Sequence, residues 1–164
     1  MIEQNIVKVA MADLNVIKQS GLIRTSGLGS CVGLTMYDPI LQQAGMAHVM
    51  LPSSEIAREG ELNIAKYADT AIPALLERLI RMGSLKTNLV AKMAGGSQMF
   101  AFGGHNDTMR IGPRNTESCK TKLHELGIPL VGEDTGGNYG RTIELDCKTG
   151  TLFIRSVQMG VKEL

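Results

Sequence analysis

A thiol and an imidazole stand 17 positions apart near the start of this chain. Cys31 closes the glycine-rich run Thr25-Ser26-Gly27-Leu28-Gly29-Ser30-Cys31, and His48 sits inside Ala47-His48-Val49-Met50-Leu51-Pro52. A thiol beside an imidazole base is the minimum equipment for acyl transfer through a covalent intermediate. Glycines ahead of the cysteine let the backbone approach a substrate closely. Consecutive amides in such a turn, those of Gly29 and Ser30 among them, can hold a thiolate or the oxyanion of a tetrahedral intermediate. If Cys31 and His48 meet in space, the chain is a cysteine hydrolase or deamidase. If they do not, it is a small α/β domain that works by binding.

Elimination favours His48 as the base, a role worth roughly 10²–10⁴-fold in rate. Of the three histidines, His124 falls among Lys120, Lys122 and Glu125 on a charged helix face. His105, in a Gly-Gly-His-Asn-Asp loop, is the one rival. A third group must orient the imidazole. Acids are the usual choice, and Asp38, Asp69 and Asp134 are available; the hydroxyl of Thr25 is a less obvious one. Residue chemistry leaves that choice open. Gly95-Gly96-Ser97 and Glu133-Asp134-Thr135-Gly136-Gly137-Asn138 are either ordinary turns or the lining of a cleft. Phe100 and Phe102 either anchor their glycine-flanked loop or, if exposed, offer a partner contact, for which Phe102 is the candidate. Asn115 is either a helix cap or a polar site residue.

The elements that must position these groups follow from periodicity. Residues 5–11, 21–25, 31–37 and 43–51 read as strands. Asp38-Pro39 marks a turn, so 31–37 and 43–51 form a hairpin with a loop of about five residues. A hairpin brings the start of one strand close to the end of its partner, where Cys31 and His48 stand. A helix is expected over 64–82, capped by Asn63, closed by Gly83, and kinked or broken near Pro73. Residues 88–93 read as a buried strand. A second helix runs from 113 or 114 to 126 and ends at Gly127. Strands at 129–134, 142–146 and 151–157 complete the chain.

Hairpins outnumber strand–helix–strand units. The fold class is therefore α+β, a mixed or antiparallel sheet with two main helices packed outside. The whole chain, 1–164, is expected to be one domain. Gly27-Leu28-Gly29 precedes a strand, which excludes a dinucleotide fingerprint. With 17 basic against 16 acidic side chains and no tryptophan, the charge balance argues against nucleic acid or an anionic membrane as partner. No window is long and apolar enough to insert into a bilayer. Three widely spaced cysteines, Cys31, Cys119 and Cys147, point to a reducing cytoplasm rather than a disulfide framework or a zinc site.

Taken in order, the motifs resemble the CheD family of chemoreceptor glutamine deamidases. They are Gly-Leu-Gly-Ser-Cys at 27–31, Tyr-Asp-Pro at 37–39, Ala-His-Val-Met-Leu-Pro at 47–52, Lys-Tyr-Ala-Asp at 66–69, Ala-Gly-Gly at 94–96, Met99-Phe100, Ile-Gly-Pro-Arg-Asn at 111–115 and Glu-Asp-Thr-Gly-Gly-Asn at 133–138. The resemblance implies a layered α/β sandwich similar to bacterial toxin deamidases. It implies Cys31 as nucleophile, His48 as base and Thr25, in place of an acid, as the orienting hydroxyl. It also implies chemoreceptor glutamines as substrate, a thioester mechanism with no metal or organic cofactor, and a complex with the chemotaxis phosphatase CheC. An adaptor or stimulator of CheC, or a cysteine peptidase using the same residues, would be the alternatives.

Overall fold

The computed structural model describes residues 5–57, 62–99 and 110–164. Its strands are β1 (Ile6–Lys8), β2 (Leu14–Lys18), β3 (Leu22–Leu28), β4 (Val32–Asp38), β5 (Gln43–Val49), β6 (Val90–Gly95), β7 (Leu130–Thr135), β8 (Arg141–Asp146), β9 (Leu152–Ser156) and β10 (Gly160–Glu163). Helix α1 spans Ala68–Arg81 and α2 spans Ile111–Leu126. The strands form two mixed sheets, ordered β1-β3-β8-β9-β10 and β2-β5-β4-β6-β7. This is the α+β layered architecture expected from the sequence.

The layers follow from which faces are apolar. Strand β4 is buried at every position, the signature of a strand covered on both sides. Val32, Leu34 and Met36 face the helices, packing with Ala71, Ile72, Leu75 and Leu79 of α1 and Cys119 and Leu123 of α2. Cys31 and Tyr37 face the other way, toward Ile143, Leu145 and Ile154 of the first sheet. The order is helices, second sheet, first sheet. Full burial of each such aliphatic side chain contributes about 1.5–3 kcal/mol.

Several boundaries moved for identifiable reasons. The expected helix over 64–82 is interrupted at Tyr67, not at Pro73. Asn63 caps a 3₁₀ turn at Ile64–Lys66 by accepting from the Ala65 amide, and α1 starts after Tyr67. The helix continues through Pro73. Early in a helix, proline forfeits one backbone bond where the chain is already tied by its neighbours. Helix α2 starts two residues before Pro113, which falls in the first turn, where the missing N–H has no intrahelical acceptor. Gly127 closes it at φ 73°, as a left-handed cap should. Strands β2 and β10 were not anticipated, and the strand expected over 5–11 is reduced to β1.

Candidate active site

The expected hairpin exists and sets the geometry. Strands β4 and β5 pair antiparallel with Gly33 opposite His48 and Val32 opposite Val49. Directly opposed residues present their side chains on the same face, as do residues two apart on one strand. Cys31, two before Gly33, therefore shares His48's face, and that face looks into the space between the sheets. Gly33 itself puts no side chain on this face, and Ile143 and Leu28 pack directly over its backbone. A Cβ there would come within 2.5 Å of Ile143 Cδ1 and 3.0 Å of Leu28 Cδ1.

Thr25 arrives from the other sheet. It lies in β3, inward-facing and 2% exposed, and its Oγ1 stands 2.7 Å from His48 Nδ1. The same hydroxyl donates to the Val9 carbonyl at 2.8 Å. A hydroxyl has one proton, and a carbonyl can only accept. With that proton directed at Val9, the short contact to His48 requires Nδ1–H to donate to Oγ1. The neutral imidazole therefore carries its proton on Nδ1 and keeps the Nε2 lone pair free. His48 is fully buried, and Nε2 has no hydrogen-bond partner among the described residues. The Cys31 thiol is not hydrogen-bonded to it, and catalytic pairs commonly tighten only around substrate.

Both groups rest uncharged. Burial pushes the His48 pKa below the ordinary 6.5. Burial pushes the Cys31 thiol above 9.0, although its own backbone amide pulls the other way. Charge is disfavoured on each for the same reason, removal from water.

The glycine-rich run is held from two sides. Gly96 N–H donates to the Cys31 carbonyl and Ser97 N–H to the Gly29 carbonyl, both at 2.9 Å. These two amides thus grip the nucleophile's loop. Gly95 has φ 112°, and a Cβ there would collide with the Cys31 carbonyl, so the strand can approach this closely only as glycine. The Ser97 hydroxyl is buried between the Gly136 and Tyr139 carbonyls and receives Arg141 Nη1 at 2.9 Å. Arg141, 3% exposed, also bonds Asp134 at 3.1 Å and Gly136 at 2.9 Å, tying the 95–97 and 134–139 loops together. On the helix side, Asn115 Nδ2 donates to the Ser30 carbonyl at 3.0 Å and the Met50 carbonyl at 2.9 Å.

The three acids weighed for the orienting role have partners elsewhere. Asp38 accepts from the Ile40 and Leu41 amides and from Ser84. Asp69 accepts from Ser54, and Asp134 binds Arg141 and Lys162. Phe100, Phe102 and His105 lie outside the described residues. Val9 escaped the sequence reading because it acts through its carbonyl, which no residue type signals.

A buried thiol, imidazole and hydroxyl thus converge from both sheets, with the loop of the thiol clamped by neighbouring backbone. The family model described as CheD chemotactic sensory transduction matches residues 50–156. The chain is 54% identical over 160 residues to the chemoreceptor glutamine deamidase CheD of Halalkalibacterium halodurans, covering 98% of this chain and 99% of that one. It is 50% identical over 162 residues to the protein of the same name from Bacillus subtilis, covering 99% and 98%. Among solved structures it is similar to Bacillus licheniformis hypothetical protein YfiH, with a TM-score of 0.48 and 15% identity over 81% of this chain and 60% of that one. The chain belongs to the CheD family. No helix among the described residues is long and apolar enough to cross a membrane.

Proposed function

We propose that the protein deamidates glutamine side chains of chemoreceptors through a thioester on Cys31, in the cytoplasm, as part of chemotactic adaptation. The observation that carries the mechanism is the relay from His48 Nδ1–H to Thr25 to the Val9 carbonyl, which leaves Nε2 as a free base. The names of the relatives supply the reaction and the substrate.

His48 Nε2 takes the Cys31 proton as Sγ attacks the glutamine carboxamide carbon. The carbonyl electron pair moves to oxygen, where the Cys31 and Ser30 amides stabilise it; the Gly29 amide, expected from the sequence to share this role, donates instead to the Gly27 carbonyl at 3.1 Å. The tetrahedral intermediate collapses with cleavage of C–N, and the imidazolium passes its proton to the departing nitrogen, which leaves as ammonia. Water then gives a proton to Nε2 and attacks the thioester. The C–S bond breaks, the thiolate recovers the proton, and glutamate is released. The sum is amide plus water to acid plus ammonia. Thr25 does not ionise; it holds the ring in one tautomer and accepts from the imidazolium when it forms.

CheC is proposed as a partner through the segment containing Phe102, with the family resemblance as its support. The test of the function is incubation with a receptor cytoplasmic fragment. Each modified glutamine gains about one dalton with one ammonia released, as amide hydrolysis through a covalent intermediate requires. Cys31→Ala abolishes both. Cleavage of the fragment into two peptides would make the protein a peptidase instead.

A further inference from the structure

One side chain on α2 bonds the backbone beside both members of the proposed catalytic pair without touching either reacting atom. Asn115 is fully buried. Its amide nitrogen spends its two protons on the Ser30 carbonyl, one residue before the nucleophile, and on the Met50 carbonyl, two residues after the base. Its Oδ1 is buried with no partner among the described residues. Losing either donated bond would leave a buried backbone carbonyl short of a donor, a cost of about 1–3 kcal/mol, so the two bonds are the reason to keep a carboxamide here.

The Ser30–Cys31 peptide is trans, as no cis bonds are present among the described residues. In a trans peptide the C=O and N–H point in opposite directions. Fixing the Ser30 carbonyl toward α2 therefore aims the Cys31 N–H away from the helix, toward its own sulfur and the space between the sheets. The second bond fixes the distance from that peptide to the end of β5, which carries His48. We propose that Asn115 is a positioning residue for catalysis: it orients the Cys31 amide that receives the developing oxyanion and sets the spacing between the nucleophile's loop and the strand of the base.

This rests on the deamidase reading, and the experiment separates the two. Asn115→Leu keeps the γ-branched shape and removes both donors. Asn115→Ser keeps a single shorter donor and is read in its place if the leucine variant lacks a cooperative unfolding transition. Thr116→Val is the control: it sits on the same turn and its buried hydroxyl has no partner among the described residues. Ammonia release from a receptor fragment gives kcat and KM, and iodoacetamide gives the alkylation rate of Cys31 without any substrate.

The expected result is a kcat about 100-fold lower for the Asn115 variant with KM within about threefold, the size associated with a lost oxyanion donor or a small misplacement. Alkylation at fixed pH should slow about tenfold, one pKa unit of lost thiolate stabilisation. Thr116→Val should stay within about twofold on both. A folded Asn115 variant with unchanged kcat and alkylation overturns the proposal, as does a loss confined to KM or an equal loss in Thr116→Val. Failure of the wild-type protein to release ammonia overturns the deamidase reading, while the alkylation comparison still decides the role of Asn115 toward Cys31.

Discussion

Thr25 and His48 belong to different sheets and meet at 2.7 Å between them. The proton of the threonine is committed to the Val9 carbonyl, so a neutral hydroxyl can dictate the tautomer of a buried imidazole. A carboxylate would do so more strongly, but in this dry space it would itself need a compensating charge.

Removing that hydroxyl should be costly in two ways. Thr25→Val leaves His48 Nδ1–H and the Val9 carbonyl unpaired and buried, about 1–3 kcal/mol of lost stability for each. We expect urea denaturation to show that loss and kcat to fall at least about 100-fold, toward the full value of a general base. Thr25→Ser keeps the hydroxyl and should retain activity within about tenfold of wild type.

The uncharged resting pair predicts a distinctive pH dependence. The His48 pKa lies below 6.5 and that of Cys31 above 9.0. The activity profile in kcat/KM should be flat between those two values. Iodoacetamide should react slowly at neutral pH and faster through and beyond pH 9.0. Cys119 and Cys147, buried and pushed up to about 12 and about 11, should remain unlabelled in the folded protein. Alkylation that is fast and constant across pH 5 to 8 would reveal a thiolate–imidazolium pair instead.

Stability should follow from the same shifts. A histidine whose folded pKa is depressed is fully stabilising above its unfolded value of 6.5 and loses that contribution as pH falls through the folded pKa. A thiol whose folded pKa is raised loses its contribution as pH rises above the unfolded 9.0. Thermal unfolding should show a falling Tm on the acid side of 6.5, and His48→Gln should flatten that limb.

Two glycines near the site should be intolerant to different degrees. In Gly33→Ala the new methyl meets the movable ends of Ile143 and Leu28, so overpacking of about 1–3 kcal/mol is expected. In Gly95→Ala it meets the Cys31 carbonyl, backbone that cannot yield, at φ 112°. Urea midpoints should rank wild type, Gly33→Ala, then Gly95→Ala.

Much of this site was legible because local chemistry and topology coincided. The turn at Asp38-Pro39 between two apolar runs announced the hairpin, and the hairpin put Cys31 and His48 on one face. Thr25 was nameable only by resemblance, because its role depends on a contact between sheets that no local spacing encodes. The contribution of Val9 is a carbonyl and invisible to residue type. Asn115 lay in view as either cap or site residue; its choice of partners depends on where α2 packs. Strand β2 was missed because Leu14–Lys18 becomes a strand by pairing with β5, a tertiary preference rather than a local one. The break at Tyr67 was missed for a similar reason: Leu51 bridges to Tyr67, and that pairing interrupts the helical run.

The most direct measurement is the protonation state of His48 in the free protein, read by long-range ¹H–¹⁵N correlation of its imidazole at neutral pH. A neutral ring protonated at Nδ1, with a bare Nε2, is expected, and Thr25→Val should abolish the fixed tautomer. A ring protonated at Nε2, or an imidazolium in the resting protein, would contradict the relay through Thr25 and the general-base role built on it.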